Sequence, residues 1–123
     1  MVSGNAEQED ASLLRNEIYP ALAISFSESG TPYRGEGNTK QEARNNALKI
    51  CHDTNASCLI SRSYDAGEPI CLSISFAQRP TIYVETQSRP QNGEEHPLQS
   101  ACQQTRDPAN CMRQRATFCN HSP

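Results

Sequence analysis

Tryptophan is absent from this chain, and Phe and Tyr supply only 6% of its 123 residues. Apolar residues of all kinds make up 35%, too lean a supply to hold a domain of this length by burial alone. No run approaches the roughly 18 consecutive apolar residues of a membrane span. No block of like charge exceeds two or three residues, and 11 basic side chains are interspersed with 14 acidic ones for a net charge of −3. That mixture lacks the basic stripe with which nucleic-acid-binding domains meet phosphates, so no nucleic-acid partner is expected. A hydrophobic leader is missing too, because Met1 to Asn5 run straight into Glu7, Glu9 and Asp10.

Cysteine is what the chain has in excess: six residues, three up to Cys71 and three from Cys102 onward. Pairing two odd sets forces at least one bridge between the halves. Such bonds persist in oxidising compartments, so the sequence points to a periplasmic or secreted protein whose signal peptide has been removed. The competing reading is a cytosolic protein with six reduced thiols. Each bridge would contribute about 2–4 kcal/mol, comparable with a large part of a domain's net stability of about 5–15 kcal/mol.

Residues 1–12 read as a disordered tail, followed by one turn around Leu13, Leu14 and Ile18. Leu22, Ile24 and Phe26 alternate with Ala23 and Ser25, the pattern of a half-buried strand. A turn at Ser29-Gly30-Thr31-Pro32 returns the chain as a second strand from Tyr33. Thr39 and Glu42 form a capping box, and Ala43, Ala47, Ile50 and Cys51 recur at helical spacing, predicting a helix from 40 to about 52. Strands follow at Ser57–Tyr64, Ile70–Phe76 and Thr81–Thr86. Residues 87–96 contain no apolar side chain except Pro90 and read as a linker. Pro97 and the Asp107-Pro108 pair each suit a helix start, and Met112, Ala116 and Cys119 would line the second helix.

The expectation is an α+β fold: a small antiparallel sheet of about five strands in the order ββαβββ, with one helix packed on it. The core would span 13–86, and a disulfide-stapled helical hairpin at 97–123 would pack against it. Cys102 and Cys111 lie equally far from the hairpin turn and so face each other. Cys51 and Cys58 would clip the loop after the helix. Cys71 points away from the Leu72 side and is left for Cys119. The preferred set is therefore Cys51–Cys58, Cys71–Cys119 and Cys102–Cys111, with Cys51–Cys71 as an open alternative.

Ala23-Ile24 with Ser25 and Ser27, Tyr33 and Gly35, Glu42-Ala43 with Ala47-Leu48 and Cys51, then Cys58 and Cys71, form a series over about residues 21–76. It resembles a family of small secreted bacterial domains of unknown function, with an A-I-A-x-S strand, an E-A-x-x-x-A-L-x-x-C helix and two further cysteines. The resemblance implies fold and export, and no chemistry. Tyr19-Pro20 replaces the aromatic that often opens the first strand, and the C-terminal segment is outside the pattern.

A Cys–His catalytic pair needs a free thiol, which an even disulfide set does not leave. His52 or His96 could serve as the base of a small hydrolase, and Cys51, His52, Cys58, Cys119 and His121 could in principle gather around zinc. Bridges are the favoured fate of those sulfurs, so no metal and no cofactor is expected. Glu94-Glu95 reads as solvated charge, Gly30, Gly35 and Gly37 as turn glycines, and Asn55 and Asn120 open glycosylation sequons. Ser29-Gly30-Thr31-Pro32-Tyr33 is similar to the S-G-x-x-Y element that periplasmic lysozyme inhibitors insert into a hydrolase cleft, but those inhibitors are all-β barrels and a plain turn is the favoured reading.

The favoured reading is a non-enzymatic immunity or inhibitor protein that neutralises a secreted toxin or hydrolase. Its contacts would come from Ser29, Gly30, Tyr33 and Arg34, joined by a cluster of Arg106, Arg113 and Arg115 against an acidic partner. A secreted effector or envelope protein acting on a host or surface partner is the alternative, and a small secreted hydrolase the third reading.

Overall fold

A computed structural model describes Arg15, residues 17–89 and residues 96–121. The expected tail at 1–12 and most of the linker lie outside the described residues. The fold is α+β, but with two three-stranded antiparallel sheets where one of five strands was expected. The first sheet has the order β2-β1-β3, with β1 at Ala21–Ser27, β2 at Pro32–Gly37 and β3 at Cys58–Tyr64. The second has the order β5-β4-β6, with β4 at Cys71–Ser75, β5 at Ile82–Thr86 and β6 at Arg115–Cys119. Helix α1 (Lys40–His52) follows β2, while α2 (His96–Cys102) and α3 (Pro108–Arg113) precede β6.

The C-terminal segment is therefore not a helical hairpin. Helix α3 stops at Arg113, and Ala116 and Cys119 belong to a strand that pairs with β4 from Cys71↔Cys119 to Ser75↔Arg115. Spacing of 112, 116 and 119 mimicked a helical stripe, whereas alternation of Ala116 and Phe118 with Thr117 and Cys119 is what packing uses. The expected boundary between core and C-terminal unit disappears with it, because β6 completes the second sheet.

Burial explains the division into two sheets. Strands β1 and β4 are covered on both faces, so each must be central and needs a neighbour on either side. On β1, Ala21 and Ala23 meet Ala43 and Ala47 of α1, while Ile24 packs with Leu72 and Ile74 of β4. Outside the second sheet, Leu98, Cys102 and Cys111 pack with Ile82 and Val84. The layers thus run α1, first sheet, second sheet, then the α2–α3 pair. Each central strand also buries one serine whose hydroxyl donates to the helix outside it. Ser25 reaches the Ala47 carbonyl at 2.8 Å, and Ser75 reaches that of Cys111 at 2.7 Å.

Helix α1 begins as its capping residues dictate, with Thr39 Oγ1 accepting the Glu42 N–H at 3.1 Å. Its inner row is Ala43, Ala47 and Cys51; Ile50, expected inside, is 44% exposed. Gly35 and Gly37 are strand residues rather than turn glycines. A Cβ at Gly35 would overlap the Ala43 and Ala47 backbone of α1. Glycine lets the helix settle onto β2 so closely that only small side chains fit between.

Disulfides join Cys51 to Cys58, Cys71 to Cys119 and Cys102 to Cys111, and no described cysteine is free. Asn120 ties the ends of three strands together. Its Oδ1 accepts from Ile70 N–H, and its Nδ2 donates to the Pro20 and Glu68 carbonyls, each at 2.9 Å. Tyr64 links the two sheets by donating to Glu85 at 2.7 Å. Among the described residues no helix is long and apolar enough to cross a membrane.

Candidate functional site

Two concave surfaces open where the sheets meet, at opposite ends of the sandwich. The first lies between the β1–β2 hairpin and the β4–β5 connection and has a volume of about 290 Å³. Phe26, Phe76 and Pro80 supply its apolar surface, with Gly30 and Glu28 on the hairpin wall and Arg79 on the other. The hairpin wall is held by its own hydrogen bonds. Ser27 N–H donates to the Thr31 carbonyl at 3.0 Å, and Thr31 N–H donates to Ser27 Oγ at 3.2 Å. Gly30, at φ +89°, takes the left-handed conformation that closes the turn.

Leu59 adjoins this groove. It stands opposite Phe26 in the β1–β3 register, hence on the same face, and is 75% exposed. No sequence signal marked Leu59 or Phe76, because strand alternation alone cannot say which inward-type residue its partner sheet fails to cover.

The second surface, about 330 Å³, is polar and lined by Arg34, Glu36, Arg89, Glu17 and His121. Two guanidiniums converge on neighbouring carbonyls at the end of β6: Arg34 donates to Cys119 at 3.3 Å and Arg89 to His121 at 2.7 Å. Arg34 also sits 3.4 Å from the Glu36 carboxylate, so its charge is partly answered.

Residues expected to act together are distributed over three places. Ser29 and Gly30 are at the hairpin tip. Tyr33 and Arg34 alternate across β2 and point to opposite faces. Tyr33 turns to the end of α1, where its hydroxyl meets Thr54 and accepts from Asn55 Nδ2 at 3.0 Å. These bonds, Thr54 first, lower its pKa below the ordinary tyrosine value. Arg106 precedes the α3 N-cap Asp107, Arg113 ends α3, and Arg115 opens β6. Arg106 and Arg113 thus flank α3 at its two ends rather than forming one patch. Arg115 stands opposite Ser75 in the β4–β6 register, so it lies on the α3 side of the second sheet, where its guanidinium donates to the Met112 carbonyl at 2.5 Å.

Structural bonds engage several of the groups weighed for other chemistries. Cys51, Cys58 and Cys119 are bridged and cannot ligate zinc. Among the described residues no other set of three His, Cys, Asp or Glu converges on a metal position. His52 is exposed and contacts the Asn55 carbonyl at 3.4 Å, and His96 is the first residue of α2. Both sequon asparagines are engaged by the folded chain. Asn55 Nδ2 donates to the Cys51 carbonyl at the end of α1, and Asn120 is buried. Glu94-Glu95 lies outside the described residues.

Comparison with protein-family models, curated proteins and solved structures finds no match.

Proposed function

We propose that this is an exported, disulfide-clamped binding protein, acting by contact rather than turnover, as an immunity or inhibitor protein that neutralises a secreted toxin or hydrolase. The observation that carries this reading is the engagement of the described cysteines in three bridges, which tie the end of α1 to β3, β4 to β6, and α2 to α3. Bridges of this kind persist outside reducing compartments. One of them, at Cys58, also fixes the start of β3 opposite Ser27 on the hairpin wall, and a wall held before a partner arrives loses less entropy on binding. The resemblance of residues 21–76 to small secreted bacterial domains points the same way.

Groove size favours a protein partner. Sites for small molecules and cofactors run from about 300 to 1,000 Å³, and 290 Å³ is at their lower limit. Such a volume suits one anchoring side chain, the unit from which protein interfaces draw most of their affinity.

Affinity capture from the native envelope fraction tests this proposal, comparing the wild type with a Ser29→Arg/Leu59→Asp double variant, both sites being exposed. The expected result is one protein captured by the wild type, lost from the variant, whose toxic or hydrolytic activity falls when the wild type is added. Absence of any such difference, together with substrate turnover that His52→Ala abolishes, would replace contact by catalysis.

A further inference from the structure

We infer that the free edge of β5 pairs with the same strand of a second copy of this chain, joining the second sheets of the two molecules into one six-stranded antiparallel sheet across a two-fold axis. Each three-stranded sheet has two edges, and a free edge presents a row of unpaired N–H and C=O groups. Three of these four edges are blunted. On β2, the bond from Ser27 N–H to the Thr31 carbonyl sets the phase, so Tyr33, Gly35 and Gly37 point to β1 while Pro32, Arg34 and Glu36 point outward. Pro32 has no N–H to offer, and Asn46 Nδ2 takes the Glu36 carbonyl at 2.6 Å. Strand β3 bulges at Ser61, between Arg62 opposite Ile24 and Ile60 opposite Ser25, which interrupts its ladder. On β6, Arg34 takes the outward carbonyl of Cys119 at 3.3 Å.

Strand β5 is left open. Phe76 N–H donates to the Gln114 carbonyl and Asn120 N–H to that of Ile70, so Leu72 and Ile74 bond to β6 while Cys71, Ser73 and Ser75 bond to β5. Thr86, Val84 and Ile82 answer those three residues, and the N–H and C=O groups of Tyr83 and Glu85 point away from the sheet. Among the described residues nothing meets these groups.

Side chains at the edge select a second copy as the occupant. With Val84 facing the partner's Val84 on the axis, Tyr83 and Glu85 form hydrogen-bonded pairs with the partner's Glu85 and the partner's Tyr83, each pair exchanging two bonds. Ile82 and Thr86 then meet the partner's Thr86 and the partner's Ile82, β-branched pairs that suit a pleated surface. Both copies present the same patch, as a two-fold interface requires. Charge supports this register. The Arg62 guanidinium lies 4.3 Å from the centre of the Tyr83 ring, and among the described residues it has no carboxylate within ion-pair distance. The partner's Glu85, opposite Tyr83 and on the same face, comes beside that guanidinium. Glu85 Oε1 accepts from Tyr64 at 2.7 Å, which leaves the second carboxylate oxygen for the arginine. The two glutamates each face a tyrosine and do not face each other.

Two five-residue strands make a small interface, of the class below about 1,200 Å², so the dimer should dissociate on dilution. The test is sedimentation equilibrium of the full chain, disulfides intact, from about 10 μM to about 1 mM, with amide hydrogen exchange at both limits. The mass should rise with concentration toward twice 13.6 kDa. The Tyr83 and Glu85 amides should exchange about fivefold more slowly at the higher concentration. Glu85→Lys and Arg62→Glu should each weaken the dimer about tenfold, and their combination should restore it to within about threefold, amide spectra verifying that each variant is folded. A single-chain mass at about 1 mM would overturn the proposal. So would association that leaves Tyr83 and Glu85 exchange unchanged, or a charge swap that restores nothing. Protection of these amides only when the captured partner is added would assign the edge to that protein instead, leaving the contact reading intact while the dimer falls.

Discussion

The two halves of the sandwich use the same device with different reinforcement. In each, a central strand buried on both faces sends one serine hydroxyl to a carbonyl of the helix outside it. In the first half the helix has 13 residues and lies on glycine and alanine, so close approach of backbones does the fastening. In the second half the helices have seven and six residues, too short to be stable by themselves, and two of the three bridges lie there. Removing side chains and adding cross-links are thus alternative answers to a core short of large apolar residues.

Breaking the bridge in the second half should cost most. Cys71–Cys119 spans 48 residues, and its replacement by Ala at both positions is expected to lower unfolding free energy by about 4 kcal/mol in urea titrations. The same change at Cys51–Cys58, separated by seven, should remove about 2.5 kcal/mol. Equal losses would mean that strain or local packing, not chain closure, sets their value. In the first half, Gly35→Ala should cost about 3 kcal/mol, since its methyl would meet helix backbone that cannot be trimmed away. A loss below about 1 kcal/mol would show that α1 can move out without penalty and that close approach is not what fastens it.

Asn120 connects the halves. Asn120→Ala leaves the Ile70 N–H and the Pro20 and Glu68 carbonyls without their partner, and should lower thermal stability by about 2–3 kcal/mol. The smallest effect concerns Tyr64. Burial first, then the hydrogen bond to Glu85 and its negative charge, raises the Tyr64 pKa above the ordinary tyrosine value. The folded state therefore favours the protonated phenol. Its contribution is complete below the unfolded value near pH ~10 and is lost as pH rises beyond it. Tyr64→Phe should flatten that alkaline decline; an unchanged decline would remove Tyr64 as its source.

Local chemistry made parts of this arrangement legible in the sequence. Thr39 and Glu42 mark the start of α1, and alternation of Leu22, Ile24 and Phe26 marks β1, because caps and periodicity act within a few residues. The division into two sheets was not legible. Residues 57–86 carry three strand-like runs that read as a continuous meander, yet β3 returns to β1 and β4 turns to β6, about 45 residues later in sequence. Only burial of β1 and β4 on both faces requires this, and burial is a tertiary property. Likewise, alternation places Tyr33 and Arg34 in a strand, where neighbours face opposite ways, so the two do not share one contact surface. The groove depends on Leu59 and Phe76, whose exposure follows from what the second sheet leaves uncovered.

Pairing of all six cysteines underlies the contact reading, and alkylation followed by intact-mass analysis tests it most directly. The protein should be unfolded in denaturant without reductant, so that buried thiols are accessible, and treated with iodoacetamide before and after reduction. Addition of no label before reduction and six labels after it is the predicted result. Two or more labels on the non-reduced chain would contradict it, returning the cysteines to metal binding or catalysis and removing the clamp on which the contact surface depends.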